Sequence, residues 1–257
     1  MKKNLTYSVI VTTSLISLIL FFSGFVLGIQ NVLSSDGTAL PTLPKEAATT
    51  TENWNIVALG DSLTRGIGDI EGKGYISILQ QALTLSDNNA QLTNLAVSGA
   101  TSSDLVQQLT NNGILRTISQ ANLLVITIGG NDLFHSAELQ EINFDKIPET
   151  SQLYLSNLKI IVSSIREVNK TAPIYFLGLY NPFADLNFSE ITARIVLEWN
   201  FQTQLTTSTY ENLNYVPIAD IFDSNLSELL YTDHFHPNQE GYKRIGNRLI
   251  QLISPMQ

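Results

Sequence analysis

Short apolar stretches alternate along the chain with segments of helical periodicity, and this alternation restricts the possible folds more than any other feature. The apolar stretches occupy residues 55–59, 91–95, 123–128, 173–178 and 214–218. Three of them, the first, third and fourth, are nearly continuous in aliphatic or aromatic side chains. Such stretches are typical of β-strands that are covered on both faces.

Apolar residues recur at helical spacing between these stretches and after the last one. The predicted helices cover residues 75–83, 105–118, 153–168, 191–205 and 240–253. Strands that alternate with helices of this length indicate βαβ units and a parallel sheet with helices on both faces. We therefore predict an α/β fold, a three-layer α/β/α sandwich, whose functional groups collect at the carboxyl ends of the strands.

The N-terminal segment has a different composition. Lys2 and Lys3 precede residues 7–29, a run of 23 residues without Asp, Glu, Lys, Arg or His. A helix of that length spans about 34 Å, enough to cross a hydrocarbon core of ~30 Å. The lysines predict a cytoplasmic N-terminus at residues 1–6 and an external remainder. A retained single-pass anchor in the cell membrane is favoured over a cleaved signal peptide, because the run is long and offers no A-x-A-like cleavage site.

Residues 30–53 are small, polar and proline-containing, which predicts a flexible linker. The remaining residues 54–257 have the length of one globular domain. The chain has no cysteine, which excludes disulfides, thiolate metal sites and a cysteine nucleophile. Its net charge of −9, without a basic stripe, argues against nucleic acid as a partner.

Polar, glycine-marked turns follow the first three predicted strands, in segments 60–63, 94–100 and 129–132. A fourth polar segment, 233–237, precedes the last predicted helix. In a parallel sheet these segments would converge at one edge. Ser62 could serve there as a nucleophile, because the His236 imidazole is a suitable base and Asp233, three residues away, can orient it.

These segments resemble the SGNH hydrolases, also called GDSL esterases and lipases. The matching blocks are Gly60-Asp61-Ser62, Gly99, Gly129-x-Asn131-Asp132 and Asp233-x-x-His236-Pro237, in the family's order. The resemblance implies a flavodoxin-like sandwich with a central five-stranded parallel sheet. It also implies a Ser62–His236–Asp233 triad and an oxyanion hole formed by the Ser62 and Gly99 amides and the Asn131 side chain. No G-x-S-x-G elbow occurs, so the common α/β-hydrolase fold is not indicated.

Other interpretations of these residues stay open. Asp61 is predicted to contact the substrate, although Gly60-Asp61 alone would indicate only a turn and helix cap. Asp233, His234 and His236 could form a metal cluster, but His135 is the one further histidine, so the triad is favoured. Asp132 is expected to orient its loop. Aromatic residues after the fourth strand, including Phe183 and Phe188, would either form an acyl-chain wall or pack ordinarily against the sheet.

The resemblance therefore predicts hydrolysis of carboxylic esters through an acyl-enzyme at Ser62, without a metal or organic cofactor. A membrane anchor and an apolar loop favour lipid or other small ester substrates. Removal of acetyl groups from cell-wall or capsular polysaccharide is an alternative that suits an external position. A tethered binding protein on a hydrolase scaffold is the alternative from another functional class.

Overall fold

The computed structural model describes Ser23 and residues 53–85, 89–135, 146–184, 189–223 and 225–253. The chain divides into two compact units, Met1–Thr50 and Thr51–Gln257, and the fold described below belongs to the second. The predicted anchor and linker lie outside the described residues, except for Ser23 and Asn53. None of the helices within the described residues is long and apolar enough to span a membrane. The anchor thus stays a prediction from sequence.

Five parallel strands form one sheet in the order β2-β1-β3-β4-β5. The strands are β1 (Trp54–Gly60), β2 (Ala90–Asn94), β3 (Leu123–Thr127), β4 (Ile174–Leu177) and β5 (Leu213–Val216). Strands β3 and β4 are buried at every residue, and β1 is buried from Ile56 onward. This burial explains why their sequences are nearly continuous in apolar residues. The predicted α/β fold with a five-stranded parallel sheet is confirmed.

Helices cover both faces of the sheet. They are α1 (Ser62–Arg65), α2 (Gly74–Leu85), α3 (Ser102–Gln108), α4 (Asn112–Ser119), α5 (Gly130–His135), α6 (Ile147–Val168), α7 (Ser189–Thr207), α8 (Ala219–Phe222), α9 (Leu226–Leu229) and α10 (Gln239–Ile253). One apolar core lies between the sheet and α2, α8, α9 and α10. A second core lies on the other face, against α3, α4, α6 and α7. The sheet is therefore the middle layer of a three-layer sandwich.

The prediction of a single helix over residues 105–118 was wrong, because this stretch contains α3 and α4. Asn111 separates them with extended backbone angles (φ −81°, ψ 117°), and its side chain accepts hydrogen bonds from the amides of Gly113 and Ile114. An asparagine that caps the next helix in this way ends the preceding one. Apolar residues continue at helical spacing through the break and so conceal it.

The strand order places the site between two neighbouring strands whose connections leave in opposite directions. Strand β1 connects to β2 on one side, whereas β3 connects to β4 on the other. Loops diverge at such a switch point and leave a crevice at the carboxyl ends of the strands. Ser62 follows β1 and Asn131 follows β3, so both residues border this crevice.

Candidate active site

Ser62 is the first residue of α1, directly after the end of β1. The turn before it depends on Gly60, which has φ +126° and on which a Cβ would lie 1.8 Å from the Thr127 carbonyl oxygen. Only glycine can occupy that position, because the conformation is left-handed and the β3 backbone fills the space. The turn leaves Ser62 9% exposed, with its Oγ at the crevice.

Three predicted site residues form a continuous hydrogen-bonded chain. The Ser62 Oγ lies 2.8 Å from the Nε2 of His236, and the Nδ1 of His236 lies 2.7 Å from the Oδ2 of Asp233. Because an ionised carboxylate can only accept, the proton resides on Nδ1. Nε2 is then free to accept from the serine hydroxyl, which is the arrangement that general-base activation requires.

A tight turn holds Asp233 and His236 together. The other carboxylate oxygen of Asp233, Oδ1, accepts from the backbone amides of Phe235 (3.0 Å) and His236 (2.9 Å). Burial opposes ionisation of Asp233, but the hydrogen bonds from His236 and the two amides outweigh it and lower the pKa of this carboxyl. His234 lies in this turn with φ +55° and is exposed.

Gly99 lies in the loop that follows β2, and Asn131 lies in α5, which follows β3. Gly99 has φ +80°, and a Cβ there would meet no atom within 4 Å. Glycine is favoured at this position because of its backbone conformation, since a side chain would have room. Asn131, in the first turn of α5, donates from Nδ2 to the Ala100 carbonyl (2.8 Å). This bond joins the loop of Gly99 to the amide of Asn131, and the second hydrogen of the NH₂ group can serve another acceptor.

A buried polar network, not predicted from the sequence, fixes these two loops. Asp132 accepts from the backbone amide of Ser102 (2.8 Å) and from its hydroxyl. Asn157 of α6 donates to the same hydroxyl (2.9 Å). Burial raises the pKa of Asp132, while the bonds from Ser102 partly offset that effect. Asp132 thus orients its loop, as expected, whereas Ser102 and Asn157 carry no recognisable sequence signal.

Asp61 lies beneath the nucleophile and is only 5% exposed. Its Oδ1 caps α1 by accepting from the Leu63 amide (3.1 Å) and also accepts from the Thr127 hydroxyl (2.8 Å). The chain continues from Thr127 to the hydroxyl of Thr64 (2.7 Å) and on to the phenol of Tyr75 (2.5 Å). These bonds cap α1 and anchor the turn to β3, while Asp61 also borders the cavity beside Ser62, so its contact with substrate stays a prediction.

Burial raises the pKa of Asp61 from 3.8 to about 6, against the lowering effect of its hydrogen bonds and of His236. Because the folded state binds the Asp61 proton more tightly than the unfolded state does, this group stabilises the fold most fully below its pKa in the unfolded chain. That stabilisation is lost as the pH rises through the pKa in the folded protein. Asp61→Asn removes this dependence. We expect the free energy of unfolding of the wild type to fall relative to the variant between pH 4 and 7, by on the order of 3 kcal/mol.

Chemical denaturation at several pH values measures this difference. Asp223→Asn is the matched control, because Asp223 is exposed and lies after α8. Its stability should run parallel to that of the wild type. If the free energy of unfolding of Asp61→Asn also followed that of the wild type at every pH, Asp61 would not be a buried carboxyl with a raised pKa.

A cavity of about 40 Å³ opens beside the triad. It is lined by Asp61, Ser62, Leu63, Gly130, Asn131, Phe134, Leu179, Tyr180, Pro182, Phe235 and His236. Phe183 is 7% exposed and packs behind the lining against Phe134 and Phe235, a position that agrees with ordinary packing, and its contact with substrate stays a prediction. Phe188, the other predicted substrate contact, lies outside the described residues.

Over the described ranges, no three His, Cys, Asp or Glu side chains are grouped so that they could hold a metal ion. Asp233 and His236, the strongest candidates for such a cluster, bond to each other and to Ser62. Chemically, this arrangement can activate a hydroxyl for attack on a carbonyl, and the Asn131 side-chain amide borders the same cavity as a donor for the developing oxyanion.

Comparison with known proteins shows the family to which the chain belongs and the structures that share its fold. The GDSL-like Lipase/Acylhydrolase family matches residues 58–244. The uncharacterized protein YpmR of Bacillus subtilis (strain 168) is 33% identical over 213 residues, 79% of this chain and 83% of that protein. The crystal structure of the lipase Lip_vut3 from a goat rumen metagenome is similar at 25% identity and a TM-score of 0.69, covering 76% of this chain and 94% of that one. Axe2, an acetylxylan esterase from Geobacillus stearothermophilus, shares the fold at 17% identity and a TM-score of 0.60, covering 76% and 92%.

Proposed function

The chain belongs to the GDSL-like lipase/acylhydrolase family, and from that premise we propose that it hydrolyses carboxylic esters through an acyl-enzyme on Ser62. The observation that carries the proposal is the Asp233–His236–Ser62 chain, with donor–acceptor distances of 2.7 and 2.8 Å. A serine hydroxyl is a weak nucleophile until a neighbouring base accepts its proton. This geometry supplies the base and the group that orients it.

Two steps complete the proposed reaction. Ser62 Oγ bonds to the ester carbonyl carbon while its proton passes to Nε2 of His236. The C–O bond to the alcohol then breaks, and His236 returns the proton to the departing oxygen. In the second step, water attacks the carbonyl carbon of the acyl-enzyme while His236 accepts a proton from that water. The bond between this carbon and the Ser62 Oγ then breaks, His236 returns the proton to Oγ, and the carboxylic acid leaves. Asp233 stays ionised throughout and stabilises the imidazolium.

The negative charge that forms on the carbonyl oxygen in both steps requires preorganised donors. The backbone amides of Ser62 and Gly99 and the side-chain amide of Asn131 are the donors we assign to it. The bond from Asn131 to the Ala100 carbonyl supports this role, since it fixes the amide before substrate arrives. The network of Asp132, Ser102 and Asn157 restrains the same two loops.

Steady-state hydrolysis of p-nitrophenyl esters by the purified full chain in mild detergent tests the proposal. We expect turnover of at least one ester in the series. Asn131→Ala should lower kcat by about 10²- to 10³-fold, because one oxyanion donor is lost, with a smaller change in KM. Asn112→Ala, at the exposed start of α4, is the matched control and should leave both constants unchanged. An Asn131→Ala variant with wild-type kcat would remove Asn131 from the oxyanion hole.

Two ester classes are compatible with this chemistry, namely lipid esters and acetyl esters of cell-wall or capsular polysaccharide. Residues 7–29, as a predicted anchor, would place the domain outside the cell, where both classes occur. The cavity of about 40 Å³ is the observation that favours the second class.

A further inference from the structure

The cavity beside Ser62 is small in comparison with any acyl chain of a lipid. Its volume of about 40 Å³ corresponds to roughly three to four water-sized groups, since one such group needs about 10–15 Å³ of this measure. An acetyl group has three heavy atoms, whereas an octanoyl group has nine. Two wider depressions among the described residues, of about 630 and 510 Å³, include neither Ser62 nor His236 in their walls.

Two phenylalanine rings, Phe134 and Phe235, line this cavity, and Phe183 from a third segment packs behind them. The ring of Phe134 lies 5.1 Å from that of Phe183 and 5.8 Å from that of Phe235, edge to face in both pairs. Phe183 and Phe235 are 6.1 Å apart. Aromatic pairs in such arrangements stabilise each other beyond simple burial, so a chain that pushed between them would lose these contacts.

The position of Phe235 is fixed from a second direction. Tyr180 donates its phenol hydrogen to the Phe235 carbonyl (2.5 Å), and its ring stacks on Phe222 at 4.2 Å. Phe235 precedes His236 directly, and their rings are 5.1 Å apart. Moving Phe235 to admit a longer chain would therefore disturb the imidazole that must accept the serine proton.

The side chains that line the cavity favour binding of the acyl group of the ester over binding of its alcohol group. Apart from Asp61 and the reacting groups Ser62, Asn131 and His236, the side chains that line the cavity are carbon-rich. A hydroxyl-rich alcohol would lose hydrogen bonds to water there without replacing them. A methyl group loses none, and the alcohol then extends from the reacting carbon toward solvent.

We propose that the rings of Phe134 and Phe235 restrict the acyl group on Ser62 to acetyl size, so that the substrates are acetyl esters. This inference rests on the proposed ester hydrolysis at Ser62 and makes its substrate class specific. Phe134 and Phe235 become the residues that determine specificity, and neither takes part in proton transfer.

Varying the acyl group while the leaving group stays p-nitrophenol tests the inference on the full chain. We expect kcat/KM to fall in the order acetyl, butyryl, octanoyl, with acetyl preferred over octanoyl by about 100-fold, since pockets discriminate chain length by roughly 10–200-fold. Equal or higher kcat/KM for octanoyl would overturn the inference and leave ester hydrolysis at Ser62 intact. Absence of turnover with every ester would overturn the proposed function and this inference together.

Phe134→Ala then tests whether the Phe134 ring limits the length of the acyl group. The variant should lower the acetyl-to-octanoyl ratio of kcat/KM at least about 10-fold, because the removed ring opens space for methylene groups. Phe134→Leu keeps the site apolar if the alanine variant unfolds, and should shift the ratio in the same direction by less. Phe201→Ala is the matched control, because Phe201 is 56% exposed on α7 and should not alter the ratio. A ratio that stays at the wild-type value in both Phe134 variants would show that this ring does not set acyl length.

Discussion

Ser62→Ala is expected to lower kcat for p-nitrophenyl acetate by about 10⁵- to 10⁶-fold, the largest effect of any single change in the chain. The variant removes the one oxygen that lies 2.8 Å from Nε2 of His236. The amides assigned to the oxyanion would remain, so a small rate above that of water should persist. Removing His236 in addition should cost little more, because the two residues act as a unit.

Ser119→Ala is the control for this change. Ser119 ends α4, and its hydroxyl donates to the Arg116 carbonyl of the same helix. Its kcat should equal that of the wild type. Thermal melts should show that Ser62→Ala is folded, because its hydroxyl has one partner and the substitution leaves no large cavity. Undiminished activity in folded Ser62→Ala would eliminate the serine mechanism.

Asp233→Asn is expected to lower kcat by about 10³- to 10⁴-fold with a smaller effect on KM. The carboxylate accepts from the amides of Phe235 and His236 through one oxygen and from Nδ1 through the other. In the variant, the amide oxygen must remain opposite the two backbone donors, so the NH₂ group faces Nδ1. Nδ1 then accepts, the ring proton moves to Nε2, and Nε2 can no longer take a proton from Ser62.

The same kinetic series measures this variant, with Asp223→Asn as the charge-matched control. The control should behave as the wild type because Asp223 is exposed and is not a member of the Asp233–His236–Ser62 hydrogen-bonded chain. If Asp233→Asn kept its kcat within a few-fold of the wild type, the tautomer argument would be wrong, and Asp233 would be only a residue that stabilises the turn.

The sheet and the contact between Asp233 and His236 were predictable because their causes are local, whereas the resemblance to the SGNH sequence blocks placed Ser62 with them. Buried parallel strands need apolar residues on both faces, so β1, β3 and β4 are recognisable as apolar stretches. The three-residue spacing of Asp233 and His236 permits their contact within a single turn, which the structure shows. Gly60 and Gly99 both have positive φ, as expected at turns after strands.

The rest depends on contacts between residues far apart in the sequence. The network beneath the nucleophile joins Asp61, Thr64, Tyr75 and Thr127, and threonine and tyrosine are ordinary residues in such elements. The ring contact between Phe134 and Phe235 likewise joins residues that lie far apart in the sequence. No period or spacing indicates either contact. The sequence left the position of Phe183 open between an acyl-chain wall and ordinary packing for the same reason, since an aromatic residue in a loop has no local sign of the partner that covers it.

Covalent labelling with a fluorophosphonate, followed by intact-mass and peptide analysis, is the most direct test of the central claim that Ser62 is an activated nucleophile. This probe reacts with a serine only when a base and an oxyanion hole assist it, and it requires no knowledge of the natural ester. We expect one adduct per chain, located on Ser62, absent from Ser62→Ala and strongly slowed in His236→Ala. A folded wild type that remains unlabelled, or an adduct on another residue, would contradict that claim and would favour a tethered binding protein on a hydrolase scaffold.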